Sequence, residues 1–149
     1  MCYIHGMPSS TAAGTAAREA WGLFWRLFVG DKPRRMSTLN ELGLAPMQAM
    51  ALQHLEPGTP LPMSALAGAL QCDNSNVTGI VDRLETAGLV ERRPAEHDRR
   101  VKTLVVTEHG ERVRAQLEQR MSVPPPALAT LSEEDAAALR DILRRALDG

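Results

Sequence analysis

The sequence predicts a mainly α-helical fold with one small β-hairpin, and three observations predict it. Apolar residues recur at i, i+3, i+4 and i+7 in separate segments, the period of helices that hide one face. Helix punctuation falls at the ends of those segments: Pro46 in a first turn, Asp73, Thr107 and Ser132 in capping positions, and Gly88 at a stop. Between Leu89 and Val106 the helical period gives way to two short runs with β-branched residues, separated by a polar, arginine-rich loop.

Residues 1–12 end in small polar residues and are expected to be disordered. A helix should follow from about Ala13 to Val29. Within it Trp21, Phe24, Trp25 and Phe28 share one face, and they are four of the five aromatic residues in the chain. Leu23 and Leu27 widen the stripe, so this helix is expected to be buried on more than one side, as core or as a dimer seam. Lining a small-molecule pocket is compatible with either. Residues 30–44 read as a loop with at most a turn of helix. Pro46 opens a second helix to about Leu55, with Met47, Met50, Ala51 and Leu55 as its apolar side and Ala45 as a poor N-cap.

The turn cluster EPGTP at residues 56–60 precedes a short helix, Met63 to Leu70, whose Leu66, Ala67 and Leu70 face inward. After a turn at Gln71–Cys72, Asp73 is expected to cap a helix running to about Ala87. Val77, Ile80, Val81 and Leu84 form its inner stripe, and Gly88 ends it in a left-handed conformation. Leu89–Arg93 and Val101–Val106 read as strands around the loop Pro94–Arg100. Thr107 caps a helix from Glu108 to Met121, which Pro124, Pro125 and Pro126 stop. Ser132 and Asp135 form a capping box for a last helix to about Leu147, with Ala136, Leu139, Ile142, Leu143 and Ala146 apolar.

Composition bounds the class. The 149 residues make one domain, or one with an appended helical part, and 44% hydrophobic content supports a packed core. No apolar run reaches the length of a membrane span and no signal peptide is read, so a soluble cytoplasmic protein is expected. The two cysteines, Cys2 and Cys72, suggest no disulfide framework. Net charge is −1, which does not by itself point to nucleic acid. The charge is concentrated instead: Glu91 to Lys102 holds Arg92, Arg93, Arg99, Arg100 and Lys102 against Glu91, Glu96 and Asp98. Location therefore matters more than total.

That basic loop follows a helix whose first turns offer Asn74, Ser75, Asn76 and Thr78 on the outward face. Asn can pair bidentately with adenine, and Ser and Thr can serve bases or phosphates. A helix N-terminus adds free N–H groups for a phosphate. Taken alone, these residues could equally be ordinary helix-start residues. The hairpin decides between the two, because a projecting loop with paired arginines suits the negative potential of a narrow minor groove. Asp98 is expected to brace Arg100 or another arginine by a paired contact. The layout is that of a winged helix-turn-helix, and its ligand is double-stranded DNA.

The stretch from Gly43 to Gly110 resembles the multiple-antibiotic-resistance regulator (MarR) family of transcription factors. Leu44-Ala45-Pro46-Met47-Gln48 and Leu66-Ala67-Gly68-Ala69-Leu70 look like the family's second and third helices. Asn76-Val77-Thr78 and Arg83-Leu84-Glu85 match its recognition helix, followed by Gly88-Leu89-Val90-Glu91-Arg92. Asp98-Arg99-Arg100, Leu104-Val105-Val106-Thr107 and Gly110 match its wing and exit. The resemblance implies a homodimer, with residues 13–43 and 108–149 as the helical dimerisation part and 44–107 as the DNA-binding part. It implies a repressor of pseudo-palindromic operators, often relieved by a small aromatic ligand. The DNA-contacting set would be Asn74, Ser75, Asn76, Thr78, Arg83, Arg92, Arg93, Asp98, Arg99 and Arg100. Trp21, Phe24, Trp25 and Phe28 would border a ligand pocket or form dimer core. Two positions depart from the family: Gly79 stands where a longer, often basic residue is usual, and the three prolines interrupt the usual long dimer helix.

Other classes find less in the chain. A phosphate loop, a nucleophile elbow and an HExxH motif are all missing, so no enzyme and no cofactor is expected. His5, His54, His97 and His109 show no metal-ligand spacing, and the first helix lacks the cysteine of the redox-sensing relatives. A metal- or redox-responsive regulator of the same family, and a winged helix that binds protein only, stand as the alternatives.

Overall fold

The structure is a computed structural model and describes residues 14–149. The expectation for residues 1–12, and Cys2 and His5 with them, lies outside that range. The chain runs α1 (Thr15–Gly30), α2 (Lys32–Glu41), α3 (Pro46–His54), β1 (Leu61–Pro62), α4 (Met63–Leu70), α5 (Asn74–Thr86), β2 (Val90–Pro94), β3 (Lys102–Val106), α6 (Glu108–Met121), α7 (Pro126–Ala129) and α8 (Glu133–Asp148). The mainly helical fold class holds. The β part is a three-stranded antiparallel sheet in the order β1-β3-β2, one strand more than a hairpin. Leu61 and Pro62 pair with Leu104 and Thr103 of β3. Two residues, one of them proline, are too short to show a strand's alternation in sequence.

The core lies where α3, α4, α5 and α6 close on the sheet. Leu52, Leu55, Leu66, Val77, Val81, Leu84, Val90, Leu104 and Leu117 are its most deeply buried side chains. Burial of each leucine or valine stabilises by about 1.5–3 kcal/mol. Val77, Val81 and Leu84 are buried as the inner stripe of α5 predicts, and Ile80 packs at its edge. On α3 the period is offset from the expected face: Ala49, Ala51, Leu52 and Leu55 are buried and Met50 is exposed.

Local chemistry explains most element ends. Gly88 adopts φ +72°, and Leu89 N–H donates to the Leu84 carbonyl at 2.9 Å. The Thr107 hydroxyl accepts from Gly110 N–H and donates to the Gly88 carbonyl, which joins the start of α6 to the end of α5. A Cβ on Gly110 would overlap the Leu89 carbonyl, so glycine is required there. Ser132 and Asp135 form the capping interaction of α8. Asp73 is the N-cap residue of α5, but its carboxylate makes no capping hydrogen bond. At α3 the alanine cap is compensated from the other side, since Gln48 Oε1 accepts from Ala45 N–H at 2.7 Å.

One further expectation is corrected. Residues 32–41 form α2 where a loop was expected. Only Leu39 of that helix is buried, so its apolar signal is weak. Proline in its first turn and the Asp31 carboxylate, 2.7 Å from Arg34 Nε, set it instead. Among the described residues of the single protomer, no side chain of α1 is buried. Trp21 is 58% exposed and Trp25 50%, with Phe24 and Phe28 little less so. The aromatic stripe therefore packs on itself, Trp21 against Phe24 and Trp25, and Phe28 against Phe24 and Trp25. α8 likewise buries nothing and leaves Ile142, Leu143 and Leu147 in the open. No helix among the described residues is long and apolar enough to cross a membrane.

Candidate nucleic-acid interface

The buried stripe of α5 fixes which way its other side looks. With Val77, Val81 and Leu84 locked in the core, Asn74, Ser75, Asn76, Thr78, Gly79 and Arg83 are all exposed. The Thr78 hydroxyl donates to the Asn74 carbonyl at 2.9 Å, which orients its oxygen as an acceptor at the surface. Gly79 has an ordinary helical conformation, and an added Cβ there would meet nothing within 4 Å. Its place in the helix therefore has no packing cause among the described residues.

The wing rises beside this face. Ala95 N–H donates to the Val101 carbonyl and Val101 N–H to the Asp98 carbonyl, closing the loop between β2 and β3. Asp98 acts on the backbone: its Oδ1 accepts from Arg100 N–H at 2.9 Å. The expected pairing of its carboxylate with a guanidinium is absent. Among the described residues Arg99 and Arg100 have no ion-pair partner, so both charges at the tip are available to an external anion.

The other two wing arginines are engaged within the fold. Arg93 pairs with Glu91 at 2.7 Å on the solvent side of β2. Arg92 turns back onto α5, where its Nη2 and Nη1 lie 2.5 Å from Asp82 Oδ1 and Glu85 Oε2. Burial acting alone would lower the Arg92 pKa, but the hydrogen bonds to Asp82 and Glu85 outweigh it and raise the value, so the guanidinium stays charged. Spacing along the chain gave no sign of this, because the partners lie seven and ten residues away, across the Gly88 turn.

Two residues outside the expected contact set lie beside this face. An open cleft of about 260 Å³ separates α4 from the base of the wing, lined by Met63, Ser64, Asn74, Val77, Thr78, Val101 and Lys102. It sets Ser64 and Lys102 beside the polar entry of α5. Both carry a readable signal: Lys102 belongs to the basic run, and Ser64 is a hydroxyl in the first turn of α4, where a phosphate can be met.

The aromatic stripe lies elsewhere. Phe24 and Phe28 line a second open cleft, of about 210 Å³, with Arg34, Arg35, Met121 and Pro125. Trp21 and Trp25 are not part of it. The Arg35 guanidinium sits 3.8 Å over the Phe28 ring and donates to the Phe28 carbonyl at 2.6 Å. Asp31 joins the corner between α1 and α2: the hydrogen bond from Arg34 lowers its carboxyl pKa, more than burial raises it. Cys72 is half-buried against the core, with its Sγ donating to the Leu70 carbonyl. No group of three His, Cys, Asp or Glu side chains that could hold a metal occurs among the described residues.

A core-anchored helix with a small polar entry, next to a β-wing carrying two uncommitted arginines, defines a winged helix-turn-helix protein of the transcription-regulator class. The sequence model of the MarR family matches residues 44–102. The chain is 30% identical to the HTH-type transcriptional regulator YfiV of Bacillus subtilis, over 88% of this chain and 84% of that one. It is also 30% identical to the HTH-type transcriptional repressor MdtR of the same organism, over 73% and 71%. Among solved structures, a MarR family protein from Bacillus stearothermophilus superposes with a TM-score of 0.78 at 27% identity, covering 93% of this chain and 97% of that one. The chain belongs to the MarR family of HTH-type transcriptional regulators.

Proposed function

We propose that this regulator is a homodimeric repressor that grips a pseudo-palindromic operator with two winged units and is relieved by a small aromatic ligand. The observation that carries the DNA reading is an exposed polar face at the start of α5, sharing a cleft with Val101 and Lys102 at the base of a wing whose Arg99 and Arg100 are exposed and unpaired. In this reading the start of α5 enters the major groove, where Asn76 reads base edges and Ser75 and Thr78 serve bases or phosphates. Arg100 enters the minor groove from a turn that Asp98 holds in shape. In the same reading Arg83, Arg93 and Lys102 neutralise phosphates and Ser64 hydrogen-bonds one, contacts that position the protein without reading sequence.

The dimer is supported by α1 and α8, whose apolar residues are left unburied among the described residues. Large exposed apolar patches on a soluble fold mark contact surfaces. Residues 13–43 and 108–149 then form the dimerisation part and 44–107 the DNA-binding part. The effector reading is supported by the Phe24–Phe28 cleft, where apolar walls meet two arginines. Repression is supported by the relative MdtR, a repressor by name.

A gel shift with the duplex upstream of the protein's own gene tests the central claim. With 6–10 phosphates contacted, affinity should fall about 10³–10⁵-fold between 50 and 200 mM salt. Arg100→Ala should weaken binding without lowering the melting temperature, because the tip supports nothing in the core. No salt-sensitive binding to any upstream fragment would reject the reading.

A further inference from the structure

We propose that Arg92 is a positioning residue: it latches the wing to the recognition helix and touches no DNA. The inference rests on the reading of this surface as a DNA interface. It reassigns one arginine that the sequence groups with the groove-contacting set.

Arg92 binds α5 at four points. Its guanidinium reaches Asp82 and Glu85, which lie one turn apart on the same face of the helix. Nη2 also donates to the Thr78 carbonyl at 3.4 Å, and its backbone N–H donates to Glu85 Oε1 at 3.3 Å. The Arg92 side chain is 24% exposed, whereas that of Arg93, next in the same strand, is 59% exposed. One cation shared by two carboxylates leaves a local charge of −1, so Arg92 has no net charge to lend to a phosphate. A bidentate guanidinium fork also fixes orientation in a way a single contact does not.

The latch spans the two elements that must reach DNA together. At one end it holds the Thr78 carbonyl, in the turn that follows Asn74–Asn76. At the other it holds β2, the strand that leads into the wing loop. Binding two grooves at once works only if the separation of the two reading elements is preset, since any ordering left until binding subtracts from affinity.

The latch makes a prediction opposite in sign to simple charge counting. Removing carboxylates near a polyanion should strengthen binding. If Asp82 and Glu85 serve to hold Arg92, removing their charge should weaken it. The test first selects a preferred duplex with the wild-type protein from a random-sequence library. It then measures affinity, salt slope, base preference and melting temperature for Asp82→Asn/Glu85→Gln, Arg92→Ala and Arg92→Lys.

The carboxamide pair and Arg92→Ala should each lose about tenfold or more in affinity. Combining them should lose no more than Arg92→Ala alone, because they break one unit. Arg92→Lys keeps the charge without the fork, so it should stay folded and fall between wild type and Arg92→Ala. The salt slope of Arg92→Ala should equal that of wild type, and base preference should blur at the minor-groove flanks while the positions read by α5 persist. Unchanged or tighter binding by the carboxamide pair overturns the latch. So does a salt slope reduced by about 0.9 in Arg92→Ala, the mark of a lost phosphate contact. Affinity loss that follows melting temperature with base preference intact overturns it in favour of a purely structural pair. If the wild type selects no duplex, the DNA reading itself fails and the latch with it. A selecting wild type with an indifferent carboxamide pair rejects the latch alone.

Discussion

Leu84 in α5 and Trp25 in α1 both sit on apolar stripes at helical spacing, yet Leu84 is fully buried and Trp25 is half exposed. The same contrast separates the regions they belong to. Between Leu44 and Val106 each inner stripe meets another within the chain: α3 against α5, α4 against α5, and β3 beneath them. The flanking helices α1 and α8 carry stripes as regular and as apolar, but among the described residues none of their side chains is buried. Periodicity reports that a face is to be hidden; it does not report what hides it. In the winged unit the answer is the chain itself. For the arms, the proposed dimer supplies a second copy.

The comparison breaks most visibly at Leu84. Leu84→Ala removes a side chain surrounded by core and should cost about 2–5 kcal/mol, seen as a lower denaturation midpoint with an unchanged m-value. The loss should be felt by the isolated protomer and the assembly alike, because the cavity lies inside the chain. Trp25→Glu should act differently. It should shift sedimentation from dimer to monomer and make the melting temperature depend on protein concentration. It should leave the winged unit's hydrogen-exchange protection intact. A Trp25→Glu protein that remains dimeric would remove α1 from the seam. One that unfolds as extensively as Leu84→Ala would show that the arms belong to the same cooperative core.

The difference also explains what was legible beforehand. From Met63 to Met121 the caps, stripes and glycine stop are local, and the sequence placed those helices within a residue or two. The α2 helix escaped notice because it is polar, with Leu39 alone buried, and because it is held by the Asp31 corner rather than by a stripe. β1 escaped because two residues cannot display a period. At the interface, residue type located Asn74, Asn76, Arg99 and Arg100 on an exposed face. It could not separate Arg92 from Arg100, since the two arginines differ only in which carboxylates the fold brings to them. Gly79 was legible as an oddity, and the structure sharpens it by finding open space where a side chain would go.

The smallest expected effect lies at the joint between the two regions. Asp31 closes α1, starts α2, and holds Arg34 while Arg35 reaches back over Phe28. The hydrogen bond from Arg34 sets its folded pKa below the value of about 3.9 expected in an unfolded chain. A depressed carboxyl stabilises the fold fully above the unfolded value and loses that contribution as pH falls through the folded one. The melting-temperature difference between wild type and Asp31→Asn should therefore be constant from neutral pH to about 5 and shrink below about 4. The shift should be modest, since the arginines are partly exposed and surface pairs of this kind are screened by water and salt. If the corner sets the angle at which α1 leaves the winged unit, Asp31→Asn should also weaken the dimer at pH 7 more than it lowers protomer stability. Equal effects on both would make Asp31 a local helix-end contact with no part in orienting the arm.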